Sequence, residues 1–163
     1  MTETQENKAP ETTENMPFIN VNAQYVKDLS FENPQAPKSL APAEKAPAIG
    51  VNLDVQAKAL GKDVYEVELM VRAEAKRDDS VLFIVDLRYA GLFTLNNIPE
   101  ANHSEVLLIE GPRMLFPFAR AIVADATREG GFPPLMINPI DFSALFRMKL
   151  AEQAKAAEKM TKN

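Results

Sequence analysis

The sequence predicts an α+β fold, a four-stranded antiparallel sheet with helices packed on one face. Period-two alternation of apolar and polar residues fills four segments between Phe18 and Ala90, the signature of half-buried strands. Short turn signals separate the later segments, which favours antiparallel neighbours. Beyond Gly91 the apolar spacing lengthens to that of a helix. With 163 residues, 46% hydrophobic and 25% charged, the chain suits one globular domain with length left over for tails.

Residues 1–16 carry Glu3, Glu6, Glu11 and Glu14 against Lys8 and few apolar side chains, too little to offset the entropy of ordering. They are expected to form a disordered acidic tail. From Phe18, alternation assigns Ile19, Val21, Ala23, Tyr25 and Leu29 to a packed side and Asn20, Asn22, Gln24 and Asp28 to an open one. Pro34, Pro37, Pro42 and Pro47 then predict an extended surface connection, too long for a hairpin turn.

A second strand sets Val51, Leu53, Val55, Ala57 and Ala59 against Asn52, Asp54, Gln56 and Lys58, and Gly61-Lys62-Asp63 turns it. In the third, Tyr65, Val67, Leu69, Val71, Ala73 and Ala75 oppose Glu66, Glu68, Met70, Arg72 and Glu74, before the turn Arg77-Asp78-Asp79-Ser80. The fourth sets Val81, Phe83, Val85, Leu87 and Tyr89 against Leu82, Ile84, Asp86, Arg88 and Ala90.

A short apolar segment, Glu105 to Ile109, is expected to stop at Gly111-Pro112. Leu115, Phe118, Ala119, Ile122, Val123 and Ala126 then recur at helical spacing until Gly130-Gly131, with Pro117 in the first turns. The loop from Phe132 to Ile137 is rich in proline yet almost wholly apolar, so it must be covered or must bind something. Asn138-Pro139 reads as an N-cap and first helical residue, launching a helix with Phe142, Leu145, Phe146 and Leu150 on one side. Residues 151–163, a mixture dominated by Ala, Glu and Lys, are expected to be a mobile C-terminal tail behind a domain spanning 17–150.

Composition narrows function. A net charge of −5 disfavours a general nucleic-acid role, because nonspecific phosphate binding rests on Lys and Arg. No run approaches the roughly 18 apolar residues of a membrane span, and the first residues do not resemble a secretory signal. Cytoplasmic residence without direct membrane insertion is therefore expected. With no cysteine and one histidine, His103, thiol chemistry has no foothold and no His pair offers a metal site. Glu66, Glu68 and Glu74 alternate as on a solvated sheet face, and no Gly-rich phosphate loop or nucleophile elbow occurs. No catalytic residue, metal or cofactor is expected, and the chain reads as a non-enzyme. What stands out is apolar material that is hard to bury: the Phe132–Ile137 loop, the Phe142 and Phe146 helix, and Val51 and Leu53. A binder of extended chains uses such surfaces together with free strand edges.

Five stretches carry a family resemblance: Tyr25-Val26-Lys27-Asp28-Leu29-Ser30-Phe31-Glu32-Asn33-Pro34, Asp63-Val64-Tyr65-Glu66-Val67, Ala90-Gly91-Leu92-Phe93, Leu115-Phe116-Pro117-Phe118-Ala119-Arg120 and Asn138-Pro139-Ile140-Asp141-Phe142. In this order they resemble the SecB protein-export chaperones, across about Phe18 to Leu150. The resemblance implies a homotetramer, a dimer of dimers, that holds precursor proteins unfolded without ATP and delivers them to the SecA motor of the translocase. It also implies SecA contacts at Asp28, Glu32, Ile84 and Asp86. Alternation independently puts Asp28, Ile84 and Asp86 on the polar side of their strands. For a client groove it points to Val51, Leu53, Phe132, Phe142, Leu145 and Phe146. The chain departs from the family pattern with Asp86 where Glu is common and Ala90 where a second glycine is common. An oligomeric adaptor or scaffold for one folded partner is the alternative reading.

Overall fold

The computed structural model describes residues 15–161. Its strands are β1 (Phe18–Glu32), β2 (Ala48–Gly61), β3 (Val64–Arg77) and β4 (Ser80–Asn96). Two helices follow, α1 (His103–Glu129) and α2 (Phe142–Thr161). The strands form one antiparallel sheet in the order β1-β4-β3-β2, which is the α+β architecture expected. Asp63 and Asp78 sit at positive φ in the tight turns that join β2 to β3 and β3 to β4, a conformation Asp tolerates well. Because β1 and β2 are opposite edges, the proline-rich connection must cross the end of the sheet. Ser39 Oγ donates to Asn33 Oδ1 at 2.6 Å at one side of the crossing, and Arg77 Nε donates to the Lys45 carbonyl at 2.9 Å at the other.

Strands β2 and β3 follow their predicted alternation, and β4 follows it from Phe83 onward. At the start of β4 a register shift sets Val81 opposite Lys76, on the open side, and Leu82, expected on that side, is buried in the core. Val67, Leu69, Val71, Ala73, Val85, Leu87 and Phe93 are fully buried beneath α1. Strand β1 departs from it, because bulges interrupt its register between Val21 and Ala23 and between Val26 and Asp28. Each inserted residue reverses parity. Ile19 and Val21 face the helices as expected, opposite Leu95 and Phe93. Ala23 and Tyr25 instead take the open face, opposite Leu92 and Ala90, and Gln24 turns to the helix side, where it accepts from Tyr89 Oη. The second bulge restores the original phase, so Asp28 is on the open face and Leu29 on the helix side, where Leu29 stays exposed.

Helix α1 also differs from expectation. It is one continuous helix through Gly111-Pro112 and Pro117, not a short segment followed by a later helix. Interior prolines cost up to about 3 kcal/mol each, but Leu107, Leu115, Ala119 and Val123 seal against the sheet and offset this. Gly111 lets the helix lie close on β3, since a Cβ there would sit 3.0 Å from Val67 Cγ1. His103 starts the helix as a buried side chain held by Tyr65 Oη at 2.7 Å and the Ile98 carbonyl at 2.8 Å.

The apolar loop after α1 is covered by this chain only in part: Ile137 is buried and Phe132 and Leu135 are half-buried, while Pro133, Pro134 and Met136 stay exposed. Phe132 joins Phe83 and Phe31 at centroid distances of 4.9 and 6.4 Å. Thr127 Oγ1 accepts from the Leu135 amide. Helix α2 begins later than Asn138-Pro139 predicts: Asp141 is its cap, with Oδ1 accepting from the Ala144 amide at 3.0 Å. The helix runs on to Thr161, so residues 151–161 continue it as exposed turns instead of forming a separate tail. The expected tail 1–16 falls outside the described residues except for its last two positions.

Candidate functional site

The structure offers two surfaces. On the open face of the sheet, β1 and β4 bring Glu32 opposite Ile84, Ser30 opposite Asp86 and Asp28 opposite Arg88. Asp28, Glu32, Ile84 and Asp86 thus form one acidic patch around an apolar residue. Asp86 receives Arg72 from β3, Nη1 to Oδ2 at 2.9 Å, while Asp28 and Glu32 enter no ion pair among the described residues.

Beside this patch lies a network the sequence did not reveal. Lys27 Nζ reaches Glu66 Oε1 and Glu68 Oε2, both at 2.9 Å, Tyr25 Oη donates to Glu66, and Arg88 Nε donates to Glu68. These glutamates are not the free solvated face that alternation suggested; the Glu68 side chain is only 7% exposed. The first bulge turns Tyr25 onto this face, and the small Ala90 side chain between Tyr25 and Glu68 leaves room to reach across β4. Burial pushes the Glu68 carboxyl up, and hydrogen bonds from Lys27 and Arg88 outweigh it, leaving the pKa lowered. Glu66 is lowered by Tyr25 first and Lys27 second, and Tyr25 is raised chiefly by its bond to Glu66.

On the opposite side, α2 leans over β2 and encloses a cleft of about 430 Å³. Its apolar lining is Leu53, Val55, Leu108, Leu145, Phe146 and Met148. Leu53, Leu145 and Phe146 are therefore brought together, with Val51 next along β2 and packed against the core. Phe142 is not at this surface: it is 2% exposed and packs edge-on against Phe116, inside the core. Phe132 lies apart from the cleft lining, in the aromatic cluster described above. Leu108 and Lys149 complete the cleft without having been singled out. Lys149 was accessible to helical phase, four residues after Leu145, but Leu108 was hidden by reading a helix stop at Gly111. Among the described residues no three His, Cys, Asp or Glu side chains are grouped to hold a metal ion, and no helix is long and apolar enough to cross a membrane.

A family model described as preprotein translocase subunit SecB matches residues 12–153. The protein-export protein SecB of Maricaulis maris is 54% identical over 157 residues, covering 96% of this chain and 91% of that protein. The chain belongs to the SecB family. The SecB of Nitrobacter hamburgensis is 50% identical over 143 residues, covering 88% of this chain and 90% of that protein. The SecB of Parvibaculum lavamentivorans is 54% identical over 145 residues, covering 88% and 86%. Among solved structures, a SecB-like chaperone of Mycobacterium tuberculosis in complex with a ChAD peptide from an antitoxin superposes with a TM-score of 0.63. At 16% identity, over 75% of this chain and 90% of that one, the likeness is one of fold. SecB proteins are protein-export chaperones and not an enzyme class.

Proposed function

We propose that this chain is a cytoplasmic, ATP-independent chaperone that holds precursor proteins unfolded and delivers them to SecA. The observation that carries the reading is the cleft of Leu53, Leu145 and Phe146 beside the outer edge of β2. An apolar groove next to unpaired backbone accepts many sequences in extended form, which is what a holder of unfolded chains requires. Each client Leu or Phe buried there contributes about 1.5–3 kcal/mol gross, and ordering the client costs about 1–2 kcal/mol per residue. One cleft therefore binds weakly. Linked clefts in an oligomer raise affinity without new contacts.

Self-association has support in an uncovered apolar patch on the helix side of β1, where Val26, Leu29 and Phe118 are 45%, 44% and 51% exposed. We assign the assembly as a homotetramer built from two dimers. For delivery, Asp28, Glu32, Ile84 and Asp86 form the surface offered to SecA: acidic groups steer a basic partner surface, and Ile84 supplies apolar contact. Phe142 is withdrawn from the client groove because this chain's own core covers it. Phe132, half-buried beside Phe31 and Phe83 and apart from this cleft, is kept as a separate candidate contact.

The test is binding to one reporter protein presented in chemically denatured and in native form. Selective capture of the denatured form is expected, with the complex at a multiple of the 18.1 kDa protomer mass plus the mass of the bound reporter. Equal or preferential binding of the native form would establish an adaptor for folded partners instead.

A further inference from the structure

The outer edge of β2 is closed at one point, in the floor of the cleft. Val55 donates its amide to Asp54 Oδ1 at 2.9 Å, and its carbonyl accepts from Lys149 Nζ at 2.8 Å. Lys149 also pairs with Asp54 Oδ1 at 2.9 Å, so one ion pair occupies both backbone groups of one residue. In an antiparallel strand the N–H and C=O of a residue point to the same side and alternate along the chain. Strand β2 pairs only with β3, so Val55 directs its backbone groups outward, and Val51, Leu53 and Ala57 share that direction. These are the residues whose side chains face the helices. Apolar side chains and unpaired backbone are thus presented by the same positions.

We infer that Lys149 and Asp54 form a latch on the β2 edge, which an entering chain must displace to add as a strand along the cleft. The inference rests on the client-binding reading above and specifies how that site is engaged and restrained. The occupant is an extended polypeptide with apolar residues at alternate positions, since only that chemistry satisfies the outward amides and carbonyls while filling the apolar lining. The latch keeps the edge from recruiting strands indiscriminately, as charged residues do at free edges. It is held by an ion pair whose side chains are 36% and 51% exposed, so it can open, and salt weakens it.

The test uses the full chain, its Lys149→Ala and Asp54→Ala variants, and a fluorescent peptide of about twelve residues with alternating apolar side chains. Two further peptides carry N-methyl groups on one or the other set of alternate amides. Each variant is expected to bind the unmodified peptide about three to ten times more tightly than the parent. Added salt should bring the parent towards the variants while moving them little. N-methylation of the set that faces β2 should abolish the gain, and methylation of the other set should leave it. Unchanged or weaker binding by variants with native circular dichroism overturns the latch, and a gain that survives both methylation patterns overturns the strand pairing. If the peptide binds neither parent nor variants, the client reading fails and the latch with it; equal binding by all three removes the latch alone.

Discussion

The charge network on the open face makes a prediction whose sign and size follow from burial. Glu68 is 7% exposed at the side chain, whereas its partners Lys27 and Arg88 are 34% and 46% exposed. Removing the cations should therefore do more harm than removing the carboxylate. Glu68→Gln leaves two solvated cations and keeps the shape, a loss of about 1–2 kcal/mol. Lys27→Ala combined with Arg88→Ala strands the Glu68 carboxylate in a largely covered site. Because this cluster opens to solvent on one side, the loss is expected to fall short of that for a fully buried pair and yet to exceed that of Glu68→Gln. Adding Glu68→Gln to the double variant should restore part of that loss. Urea unfolding at fixed protein concentration reads these differences directly.

Acid supplies a second axis for the same variants. The folded-state pKa of Glu68 is lowered from its ordinary value of 4.5, so its stabilisation is present above that value and is lost as pH falls through the folded value. In the double variant burial acts without its cations, and protonation relieves the penalty. The gap between parent and double variant should therefore narrow on acidification. A Glu68→Gln loss as large as that of the double variant, or a gap that widens in acid, would refute the burial argument.

Other perturbations test the remaining elements. Gly91→Ala would place a Cβ 2.6 Å from Phe93 Cε2 and 2.9 Å from Leu115 Cδ2, both in fully buried side chains; a loss of about 1–3 kcal/mol is expected in urea unfolding. Asp141→Ala removes the cap of α2 and should cost about 1 kcal/mol of helix stability, read as faster amide exchange in that helix with the sheet unaffected. Asp28→Ala with Asp86→Ala should weaken affinity for SecA while client affinity is kept, by calorimetry with each partner; equal loss of both would indicate a damaged fold.

What the sequence disclosed depended on how local the governing interaction is. Strands β2 and β3, and β4 from Phe83 onward, keep an unbroken alternation, so their faces can be read residue by residue; the bulge that inverts Val81 and Leu82 has no local signal. Strand β1 could not be read to its end, because its bulges fall in the stretches Val21-Asn22-Ala23 and Val26-Lys27-Asp28, which carry no glycine or proline to announce them. Alternation alone therefore assigns Tyr25 to the packed face and conceals its bond to Glu66. In α1 the local signal at Gly111-Pro112 predicts a break that does not occur, because packing against Val67 and the sheet overrides it. At α2 two caps competed within four positions, and the side chain of Asp141 won over Asn138-Pro139. Face assignment brought Asp28, Ile84 and Asp86 together from parity alone. Helical spacing placed Phe142 and Phe146 on one side of α2, but only tertiary packing decides that the first is core and the second lines the cleft. Lys149 and Asp54 are nearly a hundred positions apart, and no local pattern joins them.

Holding a protein unfolded is the central claim, and refolding kinetics test it most directly. A chemically denatured reporter that refolds spontaneously is diluted into buffer with the parent chain or with a Leu53→Ser and Phe146→Ser double variant, which keeps the Phe142 core contact and removes apolar surface from the cleft. Stoichiometric parent protein should arrest or markedly slow refolding without ATP, and the variant should release much of that arrest at unchanged secondary structure. Refolding at the spontaneous rate in excess parent protein, or arrest that is equally strong with the variant, would contradict a client site in this cleft.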